Sequence, residues 1–146
     1  MMSTLEERIQ QIEAKDEIRE LTALYCHAVV DGEPGKIVSL FCADGVFKTH
    51  NIAPCGRAEL TEFYQSGVSK RTHKPFIQNH VIELTSDYEA VGRCSVEIRV
   101  NQDGEPYTQS GHYLDQYKKV DGNWKFKERH YHRYHNAPWR DGWKLK

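Results

Sequence analysis

The chain has 146 residues, enough for one domain that buries a substantial hydrophobic core. Its 20 basic and 21 acidic residues give a formal net charge of −1, so the composition provides no positive excess for binding nucleic acid or an anionic membrane surface. The sequence contains neither an apolar leader nor a run of about 18 apolar residues, and we expect a soluble, cytoplasmic protein.

Four cysteines are spread along the chain without the CxxC spacing of zinc ribbons and redox pairs. They are Cys26, Cys42, Cys55 and Cys94. Because disulfides are rare in the cytosol, we expect free, partly buried thiols.

The first part of the chain favours helix, because residues 5–30 contain many strong helix formers and few helix breakers. Their apolar positions change sides at 100° per residue. The apolar residues of one side are Leu5, Ile9 and Ile12, and those of the roughly opposite side are Leu21, Tyr25 and Ala28. This change predicts a break near Lys15 and Asp16, with residues 1–14 packing on a partner subunit and the remainder covering the domain's own sheet.

Glycines and a proline between Asp31 and Gly35 are expected to end this helix. The elements predicted after it are a short helix (36–41), a first strand (45–49), a helix (57–69), two strands (72–84 and 90–100) and a closing hairpin (110–132). Helices followed by hairpins predict a single α+β domain, residues 1–146, with helices packed on one face of a mostly antiparallel sheet. Residues 136–146, which contain two tryptophans, are expected to form a tail or lid.

The closing hairpin turns at Asp121-Gly122, a dipeptide that supplies the positive φ angles of a type I′ turn. A two-residue turn fixes the register, so the cross-strand pairs of one face can be predicted. These pairs are Lys119 with Trp124, Tyr117 with Phe126, Asp115 with Glu128, and Tyr113 with His130. Two opposed carboxylates are unfavourable unless one is protonated or a cation lies between them. This face is therefore expected to change from an aromatic core near the turn to an ionisable cavity further away.

Three segments resemble those of a known family: YCHAVVDG and LFCADGVF in the first half of the chain, and GHYLDQYKKVDGNWKF in the hairpin. In these segments and in the order of its elements, the chain is similar to the SnoaL-like branch of the nuclear-transport-factor-2-like superfamily over nearly its whole length. The resemblance implies a cone-shaped α+β barrel, in which helices close a strongly curved sheet around an apolar pocket, and a homodimer or homotrimer. Family members include dehydratases, dehydrochlorinases, isomerases and the non-catalytic β subunits of ring-hydroxylating dioxygenases.

Catalytic members of this family pair an aspartate at the end of the long helix with a histidine on the third strand. The carboxylate orients the imidazole and raises its basicity. Gapless spacing from the helix tyrosine, Tyr25, places Val30 at the aspartate position, whereas Asp31 fits if one residue is inserted in the helix. Both alternatives remain open, and they differ because neighbouring helical positions point about 100° apart. The resemblance also implies that Tyr25 polarises a carbonyl group or holds a water.

The position of the histidine has alternatives as well. One family pattern places Pro75 there, and another matches His80, further along the strand. Independently, His80 alternates in phase with Phe76 and Ile82 on the more apolar side of the strand. His73, near the start of the strand, is a further alternative that is expected to be exposed.

On the closing hairpin, Tyr113 and His130 are expected to line the pocket and to hydrogen-bond a substrate oxygen. His130 and His132 lie two residues apart on one strand and point the same way, but zinc needs three or four ligands. No cysteine or aspartate with a recognisable spacing completes such a set. We therefore predict no metal and no cofactor.

These expectations converge on a cofactor-independent acid/base enzyme, either a dehydratase or other lyase or an isomerase, acting on a small, largely apolar cyclic compound. The predicted catalytic residues are Asp31, His80 and Tyr25, and the predicted substrate-binding residues are Tyr113 and His130. The alternative is a non-catalytic small-molecule-binding or assembly subunit similar to a dioxygenase β subunit. The mismatches at Val30 and Pro75 favour this alternative, whereas the polar outer side of the hairpin argues against it.

Overall fold

A computed structural model of the chain describes residues 2–68 and 72–143, apart from the side chain of Val68. Residue 69 of the predicted third helix and residues 144–146 of the predicted tail lie outside this description. The elements are α1 Leu5–Asp31, α2 Pro34–Ser39, β1 Phe41–Lys48, α3 Gly56–Phe63, β2 Lys74–Leu84, β3 Glu89–Gln102, β4 Glu105–Val120 and β5 Asn123–Pro138. A π-helical turn, Tyr64–Val68, continues α3, and a 3₁₀ turn, Trp139–Asp141, follows β5.

The five strands form one sheet in the order β1-β5-β4-β3-β2. β1 runs parallel to β5, and every other pairing is antiparallel. The sheet is curled but not closed, and α1 packs across β2 and β5. The predicted α+β architecture, with helices on a mostly antiparallel sheet, is confirmed. The four cysteines are free, and three of them are buried. None of the helices in the described part of the chain is both long and apolar enough to cross a membrane.

Helix α1 is continuous over 27 residues, so the predicted break is wrong. Thr4 begins it with a capping box, in which the Thr4 side chain accepts from the Glu7 N–H and the Glu7 carboxylate accepts from the Thr4 N–H. The second half of the helix carries the buried residues, whereas Leu5 is 71% exposed and Ile12 is 66% exposed. The apolar residues of the first half are exposed, so the change of face marks where burial begins and not a break in the helix.

The closing hairpin has the predicted turn and a different register beyond it. Asp121 and Gly122 have φ angles of 51° and 81°, as a type I′ turn requires. The observed pairs are Lys119 with Trp124, Tyr117 with Phe126, Asp115 with Arg129, and Tyr113 with Tyr131. A β-bulge next to Tyr117 adds one residue to β5 and changes which side chains face inward. The predicted pairs Asp115–Glu128 and Tyr113–His130 are therefore wrong, and a cation faces Asp115 instead of a second carboxylate.

Strand β2 also contains a bulge, between Gln78 and Val81, where Asn79 has a φ of 55°. The bulge reverses the alternation of the strand, so Phe76 is 50% exposed whereas Ile82 is buried. His80 shares the inner side with Ile82 but not with Phe76, which corrects the single phase expected for this strand.

Close packing of two strands at Gly111 provides a test of the fold. A Cβ at this position would overlap the His132 carbonyl oxygen, so Gly111→Ala forces the backbone of β4 and β5 apart. We expect a loss of about 2–3 kcal/mol in the free energy of unfolding, measured by denaturant titration. Gly35→Ala, where a Cβ meets nothing within 4 Å, is the matched control and should change stability by less than about 1 kcal/mol. Equal stabilities of the two variants would contradict this packing.

Candidate functional site

A cavity of about 220 Å³ opens between the helices and the inner face of the sheet. A cavity of roughly 150 Å³ holds benzene in an engineered protein, so this one has room for a substituted ring. The residues that line it are Tyr25, Val29, Phe47, Thr49, Ile52, Phe63, Tyr64, Gly67, His73, Pro75, Ile98, Gln109, Tyr113, Tyr131 and Arg133. No aspartate or glutamate from residues 2–68 or 72–143 lines the cavity.

Three buried tyrosines line the cavity. We call Tyr25, Tyr64 and Tyr113 the phenol cluster, and the part of the cavity that they line its closed end. They come from α1, the π-helical turn and β4, and all three are buried. The hydroxyls of Tyr25 and Tyr64 share a hydrogen bond of 2.9 Å. Burial raises the pKa of Tyr25 to about 12, against the effect of the nearby Arg129 charge, and raises the pKa of Tyr64 and of Tyr113 well above the ordinary value. The phenols therefore stay protonated at neutral pH.

A fully buried ion pair lies behind the phenol cluster. Arg129 Nε is 3.3 Å from Asp115 Oδ1, and neither side chain is exposed. The guanidinium carbon lies 3.6 Å from the centre of the Tyr113 ring and 4.4 Å from that of Tyr25. Burial raises the pKa of Asp115 to about 6, while Arg129 and the hydroxyl of Tyr117 act to lower it. The carboxyl is therefore ionised at neutral pH, and the pair has no net charge.

A chain of hydrogen bonds connects this ion pair to His80. Tyr117 donates to Asp115 Oδ2 at 2.9 Å, and His80 Nε2 lies 3.0 Å from the Tyr117 hydroxyl. Because Tyr117 uses its proton on Asp115, its oxygen accepts the hydrogen of His80 Nε2. Burial, together with Arg129 and Arg19, lowers the pKa of His80 from 6.5 to about 4. His80 is therefore neutral at pH 7.

The half-buried His73 and the exposed Arg133 also line the cavity, and we call the part that they line its open end. His73 was expected to be exposed, but it is half-buried. The residue before it, Thr72, has a φ of 50°, which is unusual for a β-branched residue, and its hydroxyl oxygen accepts from the Asn101 N–H at 3.3 Å. This contact holds the chain in the conformation that leads His73 to the cavity.

The structure brings two of the five predicted site residues together. The ring centres of Tyr25 and Tyr113 are 6.2 Å apart, and both residues line the cavity. Asp31 is exposed at the last position of α1, and Val29 is the residue near that end that lines the cavity. His80 does not line the cavity, and neither does Tyr117, to which it is hydrogen-bonded. The catalytic roles of Asp31, His80 and Tyr25 stay predictions.

His130 lies on the outer face of the sheet, as a consequence of the bulge in β5. Its ring centre is 3.8 Å from that of His132, which in turn lies 4.8 Å from that of His112. Among residues 2–68 and 72–143, no three or more histidine, cysteine, aspartate or glutamate side chains are grouped so that they could hold a metal ion. The substrate-binding role of His130 was inferred from the wrong register and now lacks that support.

The lining residues that were not anticipated from the sequence include Tyr64, Gln109, Tyr131 and Arg133. Tyr131 and Arg133 alternate along β5 in the same phase as Arg129, and the bulge would have had to be known to place them inside. Tyr131 donates a hydrogen bond to Gln109 Oε1 at 3.2 Å, and both residues are buried. The sequence signal that could have identified these lining residues is a polar side chain in a strand whose other inward-facing residues are apolar.

Removal of the buried cation should be far more costly than removal of an exposed one. In Arg129→Met the carboxylate of Asp115 stays buried without its counter-ion, and we expect a loss of about 3–5 kcal/mol in the free energy of unfolding. Lys48→Met removes the exposed partner of Glu128, 2.8 Å away, and should cost less than about 1 kcal/mol. Denaturant unfolding of both variants measures these losses. Losses of similar size would contradict a larger contribution of the buried pair to stability.

His80 should make stability depend on pH below neutrality. Its pKa is about 4 in the folded protein and 6.5 as the ordinary value, so unfolding takes up a proton between these pH values. The stability that neutral His80 contributes is complete above pH 6.5 and is lost as the pH falls toward 4. The raised pKa of Asp115 acts in the opposite direction between about pH 4 and 6, in the wild type and the variants alike. We therefore expect His80→Gln to gain less stability than the wild type, or to lose it, as the pH rises through this interval, and the exposed His27→Gln to keep the wild-type slope. An unchanged slope in His80→Gln would contradict the assignment.

Comparison with known proteins places this geometry in a family. Residues 10–130 match the SnoaL-like domain. No curated protein matches the chain. A candidate scytalone dehydratase from Novosphingobium aromaticivorans has a similar structure, with a TM-score of 0.83 and 21% identity over 95% of this chain and 93% of that chain. A type 2 hexachlorocyclohexane dehydrochlorinase (LinA) gives a TM-score of 0.84 and 16% identity over 90% and 92%.

A candidate aromatic ring hydroxylase from Novosphingobium aromaticivorans gives a TM-score of 0.80 and 21% identity over 87% of this chain and 94% of that chain. At these identities the similarity of the structures establishes the shared fold. The match over residues 10–130 goes further, because it covers most of the sequence. The chain belongs to the family of SnoaL-like domains, within the nuclear-transport-factor-2-like superfamily.

Proposed function

We propose that this protein is a cofactor-independent acid/base enzyme, a lyase or an isomerase, that acts on a small, largely apolar ring compound. One observation carries the proposal: the cavity has protonated phenols at its closed end and an imidazole, His73, at its open end. An imidazole and a set of hydrogen-bond donors are the two groups that proton abstraction next to a carbonyl requires. The dehydratase and dehydrochlorinase with the same fold support elimination as the reaction class.

In the proposed reaction, the ring carbonyl lies against the phenol cluster and His73 takes a proton from the adjacent carbon. The electrons of the broken C–H bond form the C=C bond of an enolate, and the carbonyl oxygen becomes negative. In an elimination the enolate then reforms the carbonyl and expels a group from the next carbon, with the proton on His73 available to that group. In an isomerisation the proton returns to a different carbon of the ring.

The phenol cluster would stabilise the enolate oxygen. Tyr25, Tyr64 and Tyr113 remain donors because burial keeps their pKa values raised. Loss of one positioned donor of this kind from an oxyanion site lowers the catalytic rate by about 10²–10³-fold. The charge of Arg129, stacked on two of these rings, favours a negative charge on the far side of the phenols.

His80 is the alternative base, oriented by Asp31 or by the Tyr117–Asp115 chain. His73 is preferred because it lines the cavity and His80 does not. A second function is a small-molecule-binding subunit without catalysis. It is favoured by the lack of a carboxylate among the described lining residues, since a carboxylate is what orients the histidine in the family's catalytic pair.

Proton abstraction can be tested before the natural substrate is known. Hydrogen–deuterium exchange at the carbon next to the carbonyl of 2-tetralone and 3-hydroxycyclohexanone, followed by NMR in D₂O, should be accelerated by the wild type. We expect His73→Gln to slow this exchange by about 10²–10⁴-fold, the usual contribution of a general base. His27→Gln, on the exposed side of α1, should retain the wild-type rate.

The other outcomes separate the alternatives. A loss of exchange in His80→Gln but not in His73→Gln would assign the base to His80. Binding of these ketones without any exchange would refute the proposed reaction and support the binding subunit.

A further inference from the structure

We propose that the compound bound in this cavity carries a carboxylate group, and that Arg133 pairs with it at the open end. The proposal rests on the proposed function in taking this cavity as the binding site, and it adds the chemical class of the ligand. Its basis is the inventory of donors, acceptors and charges along the cavity wall.

The wall offers more hydrogen-bond donors than acceptors. Tyr25 and Tyr64 use one of their two hydroxyl protons in their mutual bond, so the other proton remains available. The hydroxyl of Tyr113 makes no hydrogen bond to any residue of the described part of the chain. Tyr131 occupies Gln109 Oε1, which leaves the amide NH₂ of Gln109 as a donor. A ligand rich in acceptor oxygens matches this wall better than a ligand rich in donors.

The charges along the cavity also favour a ligand with acceptor oxygens, and in particular a negatively charged one. No carboxylate from residues 2–68 or 72–143 lines it, and within those residues Arg133 forms no ion pair. The deeper cation, Arg129, is neutralised by Asp115 at 3.3 Å. Arg133 is therefore the uncompensated cation of the described cavity wall. Its charge acts on the neighbouring Tyr131, whose pKa burial raises and Arg133 lowers.

The backbone around Arg133 leaves its guanidinium accessible from the cavity. Arg133 follows Tyr131 by two residues on β5, so both side chains lie on one face of the strand. The residue paired with Arg133 on β4 is Gly111, which has no side chain to cover it. A guanidinium binds a carboxylate through two parallel hydrogen bonds, a geometry that a neutral amide cannot reproduce. The ligand's carboxylate would thus lie at the open end and its ring carbonyl at the phenol cluster.

A matched pair of ligands tests this directly. Benzoate and benzamide have nearly the same shape and differ in charge, and their dissociation constants can be measured by NMR titration of the wild type. Hydrogen bonds to charged groups are stronger than those between neutral groups, so we expect benzoate to bind at least roughly 10-fold more tightly than benzamide. This preference should decrease as NaCl is added.

Substitution of the arginine gives the decisive comparison. In Arg133→Gln the affinity for benzoate should fall to that for benzamide, while the affinity for benzamide stays unchanged; Arg133→Lys should keep part of the preference. Arg93→Gln, which removes the same charge from the outer face of the sheet, should bind both ligands as the wild type does. Equal binding of the two ligands to the wild type, no binding of either, or a preference that persists in Arg133→Gln would overturn the proposal.

The result is independent of the reaction. If benzoate is preferred through Arg133 while the ring ketones show no exchange, the proposed chemistry fails and the carboxylate site stands. If exchange depends on His73 and the two ligands bind equally, the proposed chemistry stands and the carboxylate site fails.

Discussion

Arg129 is fully buried and cannot lose its proton, and the interior of this domain is arranged around that constraint. A guanidinium removed from water must be compensated by charge, hydrogen bonds or aromatic faces. Here Asp115 supplies the opposite charge, and the rings of Tyr25, Tyr113 and Phe126 lie within 4.6 Å of the guanidinium carbon. These neighbours belong to α1, β4 and β5, so one cation connects the long helix to the closing hairpin.

The same arrangement determines the character of the cavity. The Tyr25 and Tyr113 rings that compensate Arg129 also line the cavity, and burial keeps their hydroxyls protonated. The ion pair has no net charge. Arg129 can therefore polarise the phenols without placing an uncompensated charge next to the apolar ring of a ligand. The open end differs, because Arg133 there is exposed and unpaired within the described residues. The cavity thus has a neutral donor-rich end and a cationic end.

The sequence predicts the features of this structure that depend on local patterns better than those that depend on the register of distant residues. Local patterns gave the order of helices and strands, the type I′ turn and the two cross-strand pairs nearest to it. The bulge beside Tyr117 could not be predicted, because alternation of side chains carries no mark of an extra residue until the burial of Arg129 is known. The two opposed carboxylates of the predicted face came from the wrong register, and the residue that faces Asp115 is the cation Arg129.

The candidate site was less predictable than the fold. Tyr25 and Tyr113 were found, since each lies on a regular element whose inner face can be assigned. His73 and Tyr64 lie where regular structure ends, beside a positive-φ Thr72 and in a π-helical turn, and periodicity does not reach such positions. For Asp31 and Val30, a family spacing was transferred across a helix end, where an offset of one residue changes the direction of the side chain. The cavity takes Val29 from that end instead.

The position of the ion pair within a hairpin has a consequence for the order of folding. Asp115 and Arg129 belong to strands joined by a two-residue turn, so they can meet through local chain closure while water still surrounds them. Desolvation follows when α1, from the other end of the chain, covers the pair with Tyr25. The two charges are then dehydrated as a neutral pair, which is much less unfavourable than dehydrating each ion alone. If α1 docked before the hairpin formed, one of the two charges would have to enter an apolar interior without its partner. Folding in which the hairpin forms first is therefore favoured.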